Sequence, residues 1–303
     1  MKIGILGAGA MGILFGGSLN KAGYDVKLIM RDRSKIGIIN KEGIKINLDN
    51  GSYRVYPKAI TPDGINNFDL ILVFTKTNDT INALESIKKF ISKNTYLMSL
   101  QNGLGNFEKL LIYVKKSKII YGTSMAPADL IGITEVTSLG SHISQFKSGD
   151  LNNNIFVEDV ALALNNAGLK SIINNKVDEV IWAKVAFNTA MNSICALLEV
   201  TPKAIHQNLN LKSFALSVAS ETCIVAEKAG YKINKQEVID NIELSCKEHG
   251  EHKPSMLQDI LLKKKTEIDS LNGEVARIGL SYNVKTPLNN ALFNMIKAIE
   301  SEF

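Results

Sequence analysis

Cysteine is scarce and shows no pairing pattern: the 303 residues hold three, Cys195, Cys223 and Cys246, widely spaced and without a C-x-x-C pair. That spacing supports neither a zinc site nor a disulfide framework. The three thiols read instead as small buried apolar groups in a reducing compartment. Long hydrophobic runs are also missing. No apolar stretch reaches the ~18 residues that a membrane span needs. Residues 1–6 are apolar, but too short and too interrupted by Gly4 for a signal-peptide core. The cytoplasm is therefore the expected location, with no membrane partner. Charge is only mildly one-sided. A net +5 suits anionic small molecules but lacks the dense basic stripe of a nucleic-acid binder. Internal repeats and low-complexity tracts are absent. His249 and His252 flank Glu251 with no further ligand cluster nearby, so no metal is expected.

What is present is ordinary globular material: 45% hydrophobic and 21% charged residues. The length favours two domains. Residues 3–6, 26–30, 70–74, 96–100 and 118–121 are short apolar runs of buried-strand type, and residues 10–22 form a helical pattern stopped by Gly23. Strands alternating with helices imply a parallel sheet covered on both faces. Residues 134–156, punctuated by Gly140, Gly149 and Asn152-Asn153-Asn154, suggest appended antiparallel strands, followed by a helix over 157–167 closed by Gly168. Helical periodicity then takes over in 178–199, 211–229, 235–247, 255–264 and 267–280, with Pro202, Pro254 and Pro287 near boundaries. The expected fold is α/β: a Rossmann-type, mainly parallel sheet domain over residues 1–170, then an all-α helical domain over 171–303.

Gly7-Ala8-Gly9-Ala10-Met11-Gly12 fits G-x-G-x-x-G. The pattern alone is weak, but here a strand precedes it, a helix follows, and a second strand arrives near residue 26. In such a loop the first glycine makes the tight turn. The second lets the backbone approach a pyrophosphate, and the third lets helix and strand pack closely. The phosphates then meet free N–H groups at the helix start. NAD enzymes place an acid at the end of the second strand to hold the ribose 2′-OH. Here that strand ends Leu28-Ile29-Met30-Arg31, with Asp32 one step beyond. Arg31 could pair with a 2′-phosphate through its planar fork, which favours NADPH. The competing readings are that Arg31 is a solvated loop residue and that Asp32 supplies the acid.

Two further loops follow strands that should point the same way, Thr75-Lys76-Thr77 and Gln101-Asn102-Gly103-Leu104-Gly105. Ligands of open α/β sheets bind at the carboxyl ends of the strands, which puts Lys76 and Asn102 on the cofactor side. In the helical half, Lys184, Asn188 and Asn192 recur at i, i+4 and i+8 among Trp182, Val185, Ala186, Phe187 and Ile194. At 3.6 residues per turn they share one face. A polar stripe in so apolar a helix must face water or satisfy a ligand. Ser255 and Glu267 follow later, each with a plain structural reading as a helix-start residue.

Together these pieces resemble the ketopantoate reductase (2-dehydropantoate 2-reductase) family of the 6-phosphogluconate-dehydrogenase-like group. The resemblance runs from Lys2 to Gly279 and is most specific at residues 101–105, 182–192 and 255–273. It implies NADP-dependent reduction of ketopantoate to (R)-pantoate in pantothenate biosynthesis. By the same resemblance Gly7, Ala8, Gly9, Ala10, Met11 and Gly12 hold the pyrophosphate. Arg31 and Lys76 take the adenosine or phosphate side, and Asn102 lies beside the nicotinamide. Lys184 is the acid, Asn188 and Asn192 bind substrate oxygens, Ser255 binds the carboxylate, and Glu267 orients Lys184 or the substrate hydroxyl. The chemistry agrees, because hydride arriving at a carbonyl leaves negative charge on oxygen that a desolvated lysine can protonate. Residues 131–135 depart from the family's Gly-Pro-Gly turn, and Lys263-Lys264-Lys265 from its Gly-Arg-Pro-like stretch. The sequence is also similar to NADH-dependent D-2-hydroxy acid dehydrogenases acting on branched or aromatic 2-oxo acids. A non-catalytic dinucleotide sensor on the same fold would have no need of Lys184 and Glu267. The long apolar helices of the second half could pair in a homodimer.

Overall fold

The computed structural model of the chain describes residues 1–64, 67–151 and 155–303. Asn152-Asn153-Asn154, read above as a break between strands, lies outside the described residues. The chain divides into two compact units: Met1–Gln101 with Asn106–Val177, and Asn102–Gly105 with Asp178–Phe303.

The first unit runs β1 (Lys2–Leu6), α1 (Ala10–Lys21), β2 (Asp25–Ile29), α2 (Arg33–Glu42), β3 (Ile44–Leu48), β4 (Gly51–Val55), β5 (Lys58–Ile60), β6 (Leu70–Val73), α3 (Thr80–Ile87), β7 (Tyr96–Ser99), α4 (Asn106–Leu111), β8 (Ile119–Ser124), β9 (Asp129–Ile131), β10 (Glu135–Thr137), β11 (Ser144–Ser148), α5 (Ile155–Asn166) and β12 (Ser171–Ile173). Eight strands form one sheet in the order β12-β11-β8-β7-β6-β1-β2-β5. From β5 to β8 every neighbouring pair is parallel, and β11 joins β8 antiparallel. The order reverses between β1 and β6, the switch point at which open α/β sheets bind ligands. Ile3, Ile5 and all four residues of β6 are buried. Strands covered on both faces read as unbroken apolar runs, each such side chain contributing ~1.5–3 kcal/mol of burial.

Two features were hidden from the sequence. The appended strands do not all join the main sheet: β10 belongs to a second sheet, β4-β3-β10-β9, paired parallel with β3 and antiparallel with β9. Residues 171–177 stay with the first unit, beyond the boundary expected near 170, because β12 pairs in parallel with β11.

The second unit contains α6 (Val177–Leu198), α7 (Pro202–Gln207), α8 (Leu209–Lys228), α9 (Lys235–Glu248), α10 (Ser255–Leu261), α11 (Asn272–Ser281) and α12 (Pro287–Glu300). Helix α6 is its central element. Ala186, Ala190, Met191 and Ile194 pack with residues of α8 and α9. Trp182 and Val185 pack with Met256 and Ile260 of α10 and with Ile268 and Leu271. By length and composition α6 could cross a membrane, but 67% of its most apolar window is buried inside the protein, as suits a core helix. The helix expected over 267–280 begins only at Asn272. Before it, residues Ile268–Ser270 form a 3-10 turn, and Leu271 leaves helical geometry at φ −105°, ψ −103°. Side chains compete for the backbone there: the Ile268 N–H donates to Thr266 Oγ1 at 3.1 Å, and Ser270 Oγ donates to the Glu267 carbonyl at 3.1 Å. All three cysteines are buried and free. Burial pushes the Cys195 thiol up to about 12 and those of Cys223 and Cys246 to about 11, which keeps them protonated and inert.

Candidate active site

In the first unit the loop from β1 to α1 has the backbone that its glycines require. Gly7 sits at φ +99°, and a Cβ there would lie 2.7 Å from the Thr75 nitrogen. The β1 and β6 loops therefore touch backbone to backbone at the switch point. A Cβ on Gly12 would lie 1.9 Å from the Gly7 carbonyl oxygen, so α1 packs onto the strand end as only glycine allows. Gly9 differs: it is exposed, and a Cβ there would meet nothing within 4 Å. Ala8, Ala10 and Met11 turn partly buried side chains toward the core. Helix α1 starts at Gly9 with no side-chain cap and no acid in its first turn. A tight glycine turn, open space over Gly9 and an uncapped helix start fit a dinucleotide's pyrophosphate.

At the end of β2, Arg31 is exposed. Asp32 has a different employment. Its Oδ1 accepts the Ser34 N–H at 3.0 Å, the Ser34 hydroxyl at 2.6 Å and the Lys35 N–H at 3.2 Å, capping α2. The Ser34 hydroxyl, foremost, and the Lys35 N–H hold its carboxyl below the usual value. Lys76 lies half-buried in the loop after β6. Sequence reasoning passed over Gln101 as a residue in its own right. Buried, it donates from Nε2 to the Thr75 carbonyl at 2.6 Å and to Thr80 Oγ1 at 2.9 Å, and accepts from Ser99 Oγ at 2.8 Å. It locks the loop after β6 to the end of β7, a role signalled only by its place at the head of the 101–105 motif.

The second unit gathers Asn102, Lys184, Asn188, Asn192, Ser255 and Glu267. The Asn102–Gly105 loop is fastened to the turn after Glu267. The Leu104 N–H donates to the Ser270 carbonyl at 2.8 Å, and Gly103, at φ +83°, lies so close that a Cβ would stand 2.5 Å from the same oxygen. On α6 the three polar residues share a face as expected from their spacing. Burial draws the Lys184 ammonium down to about 8 from its ordinary 10.5, and the Glu267 charge opposes that shift. Asn188 and Asn192 are each 7% exposed, and among the described residues their side-chain amides make no hydrogen bond. Their amide atoms are not fully enclosed, so a ligand's oxygens can reach them. Ser255 is exposed at the start of α10, where Pro254 rather than Ser255 occupies the cap position. Among the described residues no group of three or more His, Cys, Asp or Glu could hold a metal ion. This arrangement offers a proton from an amine poised near neutrality, beside two amides that can hold oxygens.

Comparison with known proteins gives the same picture over the whole length. The family model described as ketopantoate reductase PanE/ApbA matches residues 3–153, and its C-terminal counterpart matches residues 176–300. The 2-dehydropantoate 2-reductase of Pyrococcus abyssi is 36% identical over 302 residues, covering 99% of this chain and 98% of that protein. That of Pyrococcus horikoshii is 38% identical over 306 residues with the same coverage. Among solved structures, a D-mandelate dehydrogenase with NADH and anilino(oxo)acetate superposes with a TM-score of 0.94 at 28% identity, covering 100% of this chain and 99% of its own. One family match on each unit, with relatives of matching length, leaves one conclusion: the chain belongs to the ketopantoate reductase family.

Proposed function

We propose that the protein reduces 2-dehydropantoate (ketopantoate) to (R)-pantoate with NADPH, a step of pantothenate biosynthesis, in the cytoplasm. The observation that carries this reading is the α6 face: Lys184, brought to about 8, on one stripe with Asn188 and Asn192, whose side-chain amides make no hydrogen bond among the described residues. The family and the relatives' names supply the substrate. A reduced nicotinamide supplies hydride, the chemistry that side chains lack.

The chain's own residues do the rest. The Gly7–Gly12 turn, including the backbone of Ala8, Ala10 and Met11, receives the pyrophosphate. Arg31 and Lys76 meet the 2′-phosphate, and Asn102 lies beside the nicotinamide. Asn188 and Asn192 hydrogen-bond the substrate's oxygens, and the Ser255 hydroxyl meets its carboxylate. Lys184 Nζ gives its proton to the carbonyl oxygen as that oxygen becomes a hydroxyl. Glu267 keeps Lys184 charged until then. The Asp32 cap favours NADPH, since the acid that would otherwise hold a ribose 2′-OH is committed to the start of α2.

The likeness to a D-mandelate dehydrogenase solved with NADH supports a second reading, an NADH-dependent D-2-hydroxy acid dehydrogenase for branched or aromatic 2-oxo acids. Loss of reduced-nicotinamide absorbance separates the two. Ketopantoate with NADPH should react fastest. Faster turnover of benzoylformate with NADH would replace the first reading by the second.

A further inference from the structure

The backbone that carries Glu267 is held from the far end of the chain. Thr266 is fully buried, and its N–H and its hydroxyl both donate to one oxygen, Glu300 Oε1, at 2.6 Å each. The same hydroxyl accepts the Ile268 N–H at 3.1 Å, so hydrogen bonds bracket residue 267 on both sides. Glu300 ends α12, and its side chain is only 3% exposed. Its second oxygen accepts from Lys297 Nζ at 3.0 Å, and Lys297 reaches on to Asp269 Oδ2 at 3.1 Å. Residues 266 and 269 are thus both tied to one face of α12, with Glu267 between them.

This is an expensive way to dock a helix. A buried carboxylate survives only when paired and fully hydrogen-bonded, and an apolar contact of the same shape would hold α12 in place at less cost. What a carboxylate adds is direction. Two donors converging on one oxygen fix the orientation of the Thr266 peptide, and so the course of the chain into Glu267. Burial by itself would raise the Glu300 carboxyl, but the Thr266 hydroxyl and N–H and the Lys297 ammonium bring it below its ordinary value. The charged groups facing it are Lys297 and, through Lys297, Asp269.

We propose that Glu300, with Lys297 behind it, is a positioning residue for the reaction: by clamping Thr266 it sets the placement from which Glu267 acts on Lys184. The inference rests on the reading of Lys184 as proton donor. It places a determinant of the chemistry at the end of α12, among residues that the sequence motifs do not include.

The test is the pH dependence of kcat/KM for 2-oxo acid reduction by the full-length enzyme in four forms: wild type, Glu300→Ala, Glu300→Gln and Glu267→Gln. With the clamp gone, Glu267 supports the ammonium less and desolvation dominates. Glu300→Ala should then lose activity by roughly tenfold to a hundredfold, with its alkaline limb moved to lower pH and KM for the dinucleotide unchanged. Glu300→Gln keeps an oxygen facing Thr266 and should return most of the activity and the limb. If Glu267→Gln moves the limb while folded Glu300→Ala leaves it in place, the inference is overturned and the Lys184 reading stands. A limb unmoved by Glu267→Gln overturns the Lys184 reading instead. Should Glu300→Ala not fold, Thr266→Val decides: it removes the hydroxyl from the clamp and keeps its shape. A limb shifted downward then supports the clamp, and an unshifted one overturns it.

Discussion

The carbonyl oxygen of Gly7 lies 1.9 Å from where a Cβ on Gly12 would stand, whereas Gly9 two residues into the turn has open space around it. Two glycines of one motif therefore fail in different ways. Gly12→Ala forces α1 away from the end of β1 and should cost about 1–3 kcal/mol of stability, seen as a lower Tm without any ligand. Gly9→Ala adds a methyl group where the fold tolerates it, at φ −82°. It should leave Tm unchanged and raise the dinucleotide Kd about tenfold or more, because on the proposed function the methyl occupies the approach of the pyrophosphate. Equal loss of Tm in both variants would remove the phosphate role from Gly9.

With Lys184 as the proton donor proposed above, the activity has a pH dependence of defined sign. The reduction consumes the ammonium form, so kcat/KM should fall as pH rises through about 8. Oxidation of the hydroxy acid needs the neutral amine and should rise through the same region. Stability follows by linkage. The folded lysine releases its proton at about 8 and the unfolded one near 10.5, so between these values the unfolded state binds more protons and Lys184's contribution to stability increases with pH. Lys184→Met should abolish turnover, spare dinucleotide binding and remove that alkaline gain. Turnover retained in Lys184→Met would assign the proton to another group.

The local signals were the legible ones. A glycine turn between β1 and α1, and a polar stripe on the 22-residue α6, leave their marks within a few residues of chain. Pairing across long separations leaves none. The strand β3 meets β10 through Lys45 and Glu135, whose side chains lie 3.0 Å apart across 90 positions, and no periodicity announces that second sheet. Glu267 had the pattern of a first-turn acid, yet Thr266 and Ser270 capture the backbone and hold it in a turn. Pro202 and Pro287 signalled boundaries, but not that each opens a helix, which a proline at the first helical position does well. The lone carboxylate after β2 was ambiguous in sequence because a cap and a ribose ligand call for the same residue type.

That ambiguity has its own test at Arg31 and Asp32. Arg31→Ala should raise KM for NADPH by roughly tenfold to a hundredfold, the worth of a charged hydrogen bond, and leave KM for NADH nearly unchanged. Asp32→Ala removes the cap of α2 and should lower Tm without altering the ratio of the two KM values. A selective loss of NADH use in Asp32→Ala would return the acid to the ribose and the preference to NADH.

Asn188 and Asn192 separate binding from folding most sharply. A buried carboxamide kept for structure has partners, and removing it destabilises the protein; these two have none among the described residues. Asn188→Leu and Asn192→Leu replace each amide by an apolar side chain of similar size, so Tm should hold or rise. On the proposed function the same changes remove hydrogen bonds to the 2-oxo acid, and kcat/KM should fall roughly tenfold to a hundredfold with dinucleotide affinity intact. A gain in stability matched to a loss of turnover is the mark of groups held ready for a ligand. Melting curves and steady-state kinetics on the two variants read both quantities. A fall in Tm with normal kinetics would make the α6 stripe part of the core and take the substrate away from it.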